Sequence, residues 1–375
     1  MEGVTDFATR LFFSLTSCPD EVSTPFLRVT QGFVKKRVPF IFAPEIFATQ
    51  NSLTLPPYKT LLQIMGSQTD ELAQFSKEVL DFVPFVELNC GCPSPKVIGH
   101  GAGSSILNDL GLMEQRLDTL CKSLGHQKLS LKMRTGFYHH DEFQGLINLV
   151  SKFPLAQLRI HGRTRPQRYQ GLARWDLIEH AASICPFPVI ASGDICDHST
   201  YVERLQQAPT VSGSIVGRGA IRNPWIFEEL RTGQQVRLKS ETIVQSLYCF
   251  AIFQELQQSF PSDLWALAQN LWKLQHSQSL SWEEVFAECK IKIQEVAKDP
   301  STEIPWNRYT LGRTKMFWNY FRSSLPESFF DPQIFRQNTV PDFFLALEKL
   351  VGHISDISLC YKPELDRFYS GASDA

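Results

Sequence analysis

The chain has 375 residues, 37 Lys and Arg against 39 Asp and Glu, and a formal net charge of −2. That length accommodates an α/β barrel of about 250 residues plus a smaller second domain. The near-neutral charge excludes a global field as the source of any nucleic-acid affinity, which would have to come from local basic patches. The sequence contains no run of the ~18 apolar residues that a membrane helix needs, and no signal-peptide pattern opens it. The nine cysteines are scattered and odd in number, which argues against a disulfide framework and for a reducing cytoplasm. No fixed-period repeat and no low-complexity tract is present.

In chain order, the first predicted strand runs from Glu21 to Val29. Leu61-Leu62-Gln63-Ile64-Met65-Gly66 is a short apolar run interrupted by Gln63, and helical spacing follows from Asp70 to Leu80. Phe85-Val86-Glu87-Leu88 then feeds into Asn89-Cys90-Gly91-Cys92-Pro93-Ser94. A buried strand ends this way when its C-terminal loop presents chemistry: Gly91 permits a sharp turn, Pro93 fixes the exit, and Cys92 sits in between as a thiol able to pass a proton. Two plainer readings exist. A lone cysteine is usually buried and inert, and a pair of cysteines can bind zinc, but Cys90 and Cys92 are too close together and no second Cys/His pair follows at finger spacing.

The neighbouring strand ends decide between these readings. Leu129-Ser130-Leu131-Lys132-Met133-Arg134 alternates and carries Lys132 and Arg134. Leu158 to Thr164 ends in His161-Gly162-Arg163. Pro188 to Asp194 ends in Ser192-Gly193-Asp194, and Ser214 to Gly219 ends in Gly217-Arg218-Gly219. Helical stretches such as Trp175 to Ile184 lie between them. Strands alternating with helices predict a parallel sheet, and polar residues at successive strand ends predict a (β/α)₈ barrel with its site on the C-terminal face. About seven core strands are expected.

The boundary of this region falls near residue 230, with the polar Arg231-Thr232-Gly233-Gln234-Gln235 as linker. Residues 1–230 are read as the catalytic domain and 236–375 as a helical bundle, with helices near 240–260, 263–278, 282–296 and 312–323. In the last of these, Phe317, Tyr320 and Phe321 form an i, i+3, i+4 apolar stripe, with Lys315, Asn319 and Arg322 on another face. From Ile304 to Pro326 there are basic residues and no acidic one. Lys315 and Arg322 are therefore expected on a phosphate-contacting surface.

Taken together, these motifs resemble the tRNA-dihydrouridine synthases. The matching residues are Met1-Glu2-Gly3-Val4-Thr5-Asp6, Gln63, Glu87 to Ser94, Gly99 to Gly103, Lys132-Met133-Arg134, His161 to Thr164, Gly193-Asp194, and Gly217 to Gly219 with Asn223 to Phe227. They cover roughly residues 1–230. Arg313-Thr314-Lys315, Tyr320-Phe321-Arg322 and Phe26 to Val29 are similar to the C-type enzymes.

The resemblance implies FMN as cofactor, NADPH as reductant and tRNA as substrate, in a cytoplasmic monomer without an obligate protein partner, a membrane association or a metal. Reduction of the uracil C5–C6 bond needs a hydride at one carbon and a proton at the other, and no side chain supplies hydride. An ordinary cysteine thiol, titrating near ~8.5, is mostly protonated at neutral pH, so Cys92 is expected to protonate C5. Met1, Glu2, Gln63, Lys132 and His161 are expected to contact the flavin, with Lys132 stabilising its reduced anion. Ser192, Gly193, Asp194, Gly217 and Arg218 are expected at the phosphate. Asn89, Arg134 and Arg163 are expected to hold a flipped-out uracil, a D-loop uridine with a lean toward position 16.

Two departures from the family pattern stand out. Ser192 replaces a usual Asn, which removes one amide contact. Met1 falls on a methionine that the family places just after an apolar strand, so the first barrel strand is expected to be absent, leaving two unpaired edges and suggesting a start upstream. The alternatives are an FMN barrel oxidoreductase acting on a free pyrimidine or enone, and a truncated, non-catalytic RNA-binding relic.

Overall fold

In the computed structural model, residues 4–30, 42–50, 53–296, 304 and 306–360 are described. Met1 and Glu2, with the contacts expected of them, lie outside these residues.

The chain enters through helix α1 (Phe7–Thr16), whose N-terminus is capped by Asp6 accepting from the Thr9 N–H. Two short strands follow, β1 (Glu21–Ser23) and β2 (Leu27–Arg28), both parallel to β3 (Lys59–Met65). They are halves of one stave. Ser23 faces Leu61 and Leu27 faces Ile64, so four steps along the first stave match three along β3. The extra residue is taken up around Pro25, which has no N–H to give to the ladder.

Regular alternation then sets in: α2 (Thr69–Val79), β4 (Val86–Cys90), α3 (Pro95–Ile98), α4 (Leu110–Leu124), β5 (Leu129–Arg134), α5 (Phe143–Val150), β6 (Gln157–His161), α6 (Trp175–Ile184), β7 (Val189–Ser192), α7 (His198–Gln207), β8 (Gly213–Ile215), α8 (Arg218–Arg222) and α9 (Ile226–Thr232). The sheet runs β1/β2–β3–β4–β5–β6–β7–β8, all parallel. No ladder joins β8 to β1 among the described residues. The expectation of about seven staves and an open seam matches this arrangement. Both seam strands are short and only half-buried.

Strand alternation divides the residues between two environments. Val86, Leu88, Leu129, Leu131, Met133, Leu158 and Ile160 face the surrounding helices and form one apolar core. The other face of the same strands carries Gln63, Glu87, Asn89, Ser130, Lys132, Arg159 and His161. Branched apolar layers usually fill a barrel of this kind; here polar groups line its interior.

Beyond β9 (Arg237–Leu238) lie α10 (Ser240–Ser259), α11 (Pro261–Ser277), α12 (Trp282–Val296), α13 (Arg308–Phe321), α14 (Val340–Val351) and β10 (Ile357–Ser358), which pairs antiparallel with β9. A second apolar core joins these helices, and α1 belongs to it: Phe12 packs edge-on against Phe250 and Phe317, with ring centres 5.5 and 5.2 Å away. Arg313 reaches from α13 to Asp6 (2.8 Å) and Gln254 (3.2 Å). The N-terminal helix thus bolts the helical region to the sheet.

α13 corrects one expectation. Phe317 and Phe321 are buried as predicted, but Lys315 and Arg322 do not form an open cationic face. Lys315 Nζ donates to the carbonyls of Phe335 (2.9 Å) and Gln337. The Arg322 guanidinium lies over the rings of Phe330 and Phe335, 5.0 and 4.8 Å from their centres. With Arg313 turned inward as well, Arg308 is the exposed cation of this helix.

Candidate active site

The C-terminal ends of β3 to β8 converge on one mouth, and the Cys92 loop forms its rim. Asn89 Oδ1 accepts from the Gly91 N–H (3.0 Å) and the Cys92 N–H (3.1 Å). The Cys92 carbonyl accepts from Ser104 Oγ at 2.7 Å. Gly103, with φ +60°, lies against the thiol's own Cβ; a Cβ there would sit 3.1 Å from it. The loop is therefore held from both sides, and Cys92 stays half-buried with its thiol within reach of the mouth. Cys90 points the other way and is buried, and burial pushes its thiol up to about 12. In a continuous strand Cys90 and Cys92, two residues apart, would share a face; they are separated because β4 ends at Cys90 and the chain turns at Gly91.

Around this thiol stands a group of cations. Lys132, on β5 opposite Asn89, has no hydrogen-bonding side-chain partner among the described residues. Burial holds its ammonium below the usual lysine range, against the pull of Glu87. Arg134 is engaged: its Nε donates to Gly91 O (2.8 Å) and its Nη1 to Thr164 O (2.9 Å) and Arg168 O (3.1 Å). It ties the cysteine loop to the loop after β6, and burial brings its guanidinium down to about 10, still cationic at neutral pH. His161 lies 3.3 Å from Ser192 Oγ through Nδ1. Burial, reinforced by Arg134, Lys132, Arg163 and Arg218, holds its imidazole well below the usual histidine range, so it is neutral at pH 7. Its Nε2 is buried with no partner among the described residues.

Arg163 stands apart from its expected role. It is fully buried, donating to Asp194 Oδ1 (2.6 Å) and to the Gly171 carbonyl. Through Nε and Nη2 it braces the β6 loop against the Ser192-Gly193-Asp194 turn, while its Nη1 is buried with no partner among the described residues. Gly193 in that turn has φ +136°, and a Cβ would fall 2.5 Å from that of Ala173, so only glycine fits. Arg218 opens α8 and lies 4.5 Å over the ring of Tyr169. Tyr169, Ser104 and Glu87 are parts of the site that the residue pattern does not single out as contacts. The glycine-rich run ending at Gly103-Ser104 is a usable signal for the second of them.

This set fits a flat, anionic, acceptor-rich group. The orphaned His161 Nε2 and the unengaged Lys132 ammonium offer polar contacts over the mouth. Gly217 leaves open space beside Arg218. The residues present fit a flavin, with Lys132 and His161 placed where they would contact a ring system and Ser192, Gly193, Gly217 and Arg218 where they would hold a phosphate. Among the described residues no His, Cys, Asp and Glu cluster could hold a metal, and no helix is long and apolar enough to cross a membrane.

Fold and mouth define a parallel α/β-barrel protein with an anion-accepting C-terminal face and a thiol at its rim. The family model for dihydrouridine synthases matches residues 1–297, and the chain belongs to that family. It is 31% identical over 186 residues to a tRNA-dihydrouridine(47) synthase [NAD(P)(+)] of Coprinopsis cinerea, covering 45% of this chain and 27% of the relative. A probable tRNA-dihydrouridine synthase of Aquifex aeolicus is 27% identical over 252 residues, covering 65% and 79%. One from Helicobacter pylori is 33% identical over 174 residues, covering 46% and 52%. The match thus spans about a quarter of the fungal relative, half of the Helicobacter one and most of the Aquifex one.

Proposed function

We propose that this chain reduces the C5–C6 bond of a D-loop uridine in tRNA to 5,6-dihydrouridine, with FMN as cofactor and NADPH as the source of electrons. A bound FMN supplies the hydride to C6. The protein does the rest. Cys92 holds a proton at the rim and delivers it to C5; Asn89 and Ser104 fix its loop so that the thiol stays aimed. Lys132 offsets negative charge on the reduced ring, and neutral His161 donates or accepts through Nε2. Arg134 keeps the cysteine loop and the β6 loop at a fixed separation, and the uracil enters between them. The reading divides the chain into a catalytic unit, 1–230, and a tRNA-holding unit, 236–375, with α1 shared between their packing.

The observation that carries this reading is the half-buried Cys92, braced at both its N–H and its carbonyl beside an unengaged Lys132. Purified protein reconstituted with FMN should be yellow, and NADPH should bleach it. Incubation with unmodified tRNA should yield dihydrouridine by mass spectrometry, mapped to position 16 and not to position 47. Flavin binding and bleaching without any tRNA product, while a free pyrimidine or an enone is reduced, would favour a small-molecule reductase. Failure to hold flavin at all, with retained tRNA binding, would make the chain an RNA-binding relic.

A further inference from the structure

Beneath the cysteine loop a chain of side-chain hydrogen bonds runs across the barrel interior. Arg159 on β6 lies 3.1 Å from Glu87 Oε2 through its Nε, as a charge contact lacking the alignment of a hydrogen bond, and ion-pairs with Glu21 on β1. Glu87 Oε1 accepts from Gln63 Nε2 at 2.5 Å. Gln63 Oε1 accepts from Asn89 Nδ2 at 2.7 Å. Asn89 Oδ1 accepts from the Gly91 and Cys92 N–H groups. Glu87 is fully buried and Gln63 and Asn89 nearly so.

Each amide in this chain has two possible orientations that differ by exchanging oxygen and nitrogen, and shape barely distinguishes them. What distinguishes them is the two ends. Backbone N–H groups at one end only donate. At the other end Glu87 Oε1 accepts from Gln63, with burial pushing the carboxyl up against the pull of Lys132 and of that hydrogen bond. Between them one orientation of Gln63 and one of Asn89 satisfies every contact. Reversing either amide puts two donors face to face at a buried site, where an unmet donor is costly.

We infer that Glu87 is a positioning residue for the proton-donating loop: its carboxylate sets the direction of Gln63 and Asn89 and thereby aims the Asn89 oxygen at the Cys92 N–H. The catalytic meaning of this rests on Cys92 being the proton donor; the structural part does not. The same arrangement occurs once more among the described residues. Glu229 Oε2 accepts from Asn223 Nδ2 (2.7 Å), and Asn223 Oδ1 accepts from the Trp225 N–H (3.0 Å). There it shapes the turn before α9, so it is a way of fixing a tight turn with an acceptor-only anchor.

Removing the anchor should reverse the chain of amides. In Glu87→Gln, an amide oxygen facing Arg159 leaves its nitrogen facing Gln63. Gln63 must then turn over, and Asn89 after it, until an amide nitrogen meets the Gly91 and Cys92 N–H groups. In the swapped double variant Gln63→Glu/Glu87→Gln, the carboxylate moves one link along the chain. The new amide at position 87 then donates to the new carboxylate at position 63. That carboxylate accepts from Asn89, so the original direction returns. The swap also keeps one carboxylate in the pair near Lys132.

Amide hydrogen exchange on the full chain, read by mass spectrometry with residue-resolving fragmentation and without tRNA or FMN, tests this directly. In Glu87→Gln, Gly91 and Cys92 should exchange about tenfold faster while the β4 and β5 ladders keep their rates. The swap should restore slow exchange at both amides. Unchanged exchange in Glu87→Gln overturns the inference. So does acceleration spread evenly through β3, β4 and β5, or a swap no slower than the single variant. Because the readout needs no turnover, failure of the proposed reaction and failure of the relay are separate results. If both hold, Glu87→Gln with FMN bound should lower kcat for tRNA reduction about tenfold, and the swap should recover part of that loss.

Discussion

Two regions of this molecule carry clustered cations, and the fate of those cations differs. At the barrel mouth, Lys132 faces the opening without a protein acceptor among the described residues, and His161 presents an unpartnered Nε2. On α13, Lys315 donates to two backbone carbonyls, Arg322 is stacked on two phenylalanine rings, and Arg313 is held by Asp6 and Gln254. By composition the two sets look alike, and helix α13 looks the more suited to nucleic acid of the two. What a cation offers a ligand depends on what its own protein leaves unsatisfied. The mouth leaves much; the helix face leaves little beyond Arg308.

The largest test of that contrast lies at the thiol. Cys92→Ala should lower tRNA reduction by about 10²–10⁴-fold, the range for a lost proton donor, while FMN binding and NADPH-driven bleaching persist. Cys90→Ala, which removes a buried sulfur from the opposite strand face, should change turnover less than about threefold and act on stability instead. Single-turnover kinetics with pre-reduced protein would show both. Equal losses would remove the distinction between the two cysteines.

Next comes the unengaged cation. Lys132→Met should weaken FMN retention and slow reduction of the bound cofactor about 10²-fold, because its charge has no substitute at that point. A stoichiometric FMN content and parent-like bleaching in this variant would show that the mouth's charge comes from Arg134 and Arg218.

The helix face should respond in stability rather than in catalysis. Lys315→Ala should cost about 1–2 kcal/mol in denaturant unfolding, since two carbonyls lose their donor. The salt slope of tRNA binding should change by less than about one. Arg308→Ala should do the reverse, leaving stability alone and reducing that slope by about one. A large salt-slope change in Lys315→Ala at unchanged stability would return α13 to the role its charge pattern suggests.

The smallest effect is one of pH. His161 is held neutral in the folded chain, whereas it titrates near ~6.5 when unfolded. Below that pH the unfolded state binds the extra proton, so stability present above pH ~6.5 is lost as the pH falls. The melting temperature should drop from about pH 7 to about pH 5, and His161→Gln should flatten that slope. An anionic cofactor should flatten it too, by favouring the imidazolium.

Much of the fold and the rim of the site is legible in the sequence. The open seam among the described residues follows from the family resemblance, whereas the βα alternation, the seven staves and the Cys92 loop follow from local rules: period-two alternation, turn residues, and apolar runs between helices. These are properties of neighbouring residues, and the sequence contains neighbours. The split of the first stave around Pro25 does not belong with them, because Glu21 to Val29 reads as one strand.

What the tertiary structure alone decided is which polar groups are already satisfied. Arg163 looks like a wholly free cation until Asp194 and Gly171 are found around its Nη2, leaving Nη1 as the part of it without a partner among the described residues. Lys315 looks like a phosphate ligand until residues 335 and 337 return to meet it. Glu87 looks like an ordinary strand residue until Gln63 and Arg159 meet it from two other strands. Residues 7–16 fall within the span read as the catalytic domain, yet Phe250 and Phe317 of the helical region pack against Phe12 of the helix they form. Most of these partners lie tens or hundreds of residues away in the chain. Sequence sets what a side chain can donate or accept; only packing determines whether anything is left for a ligand.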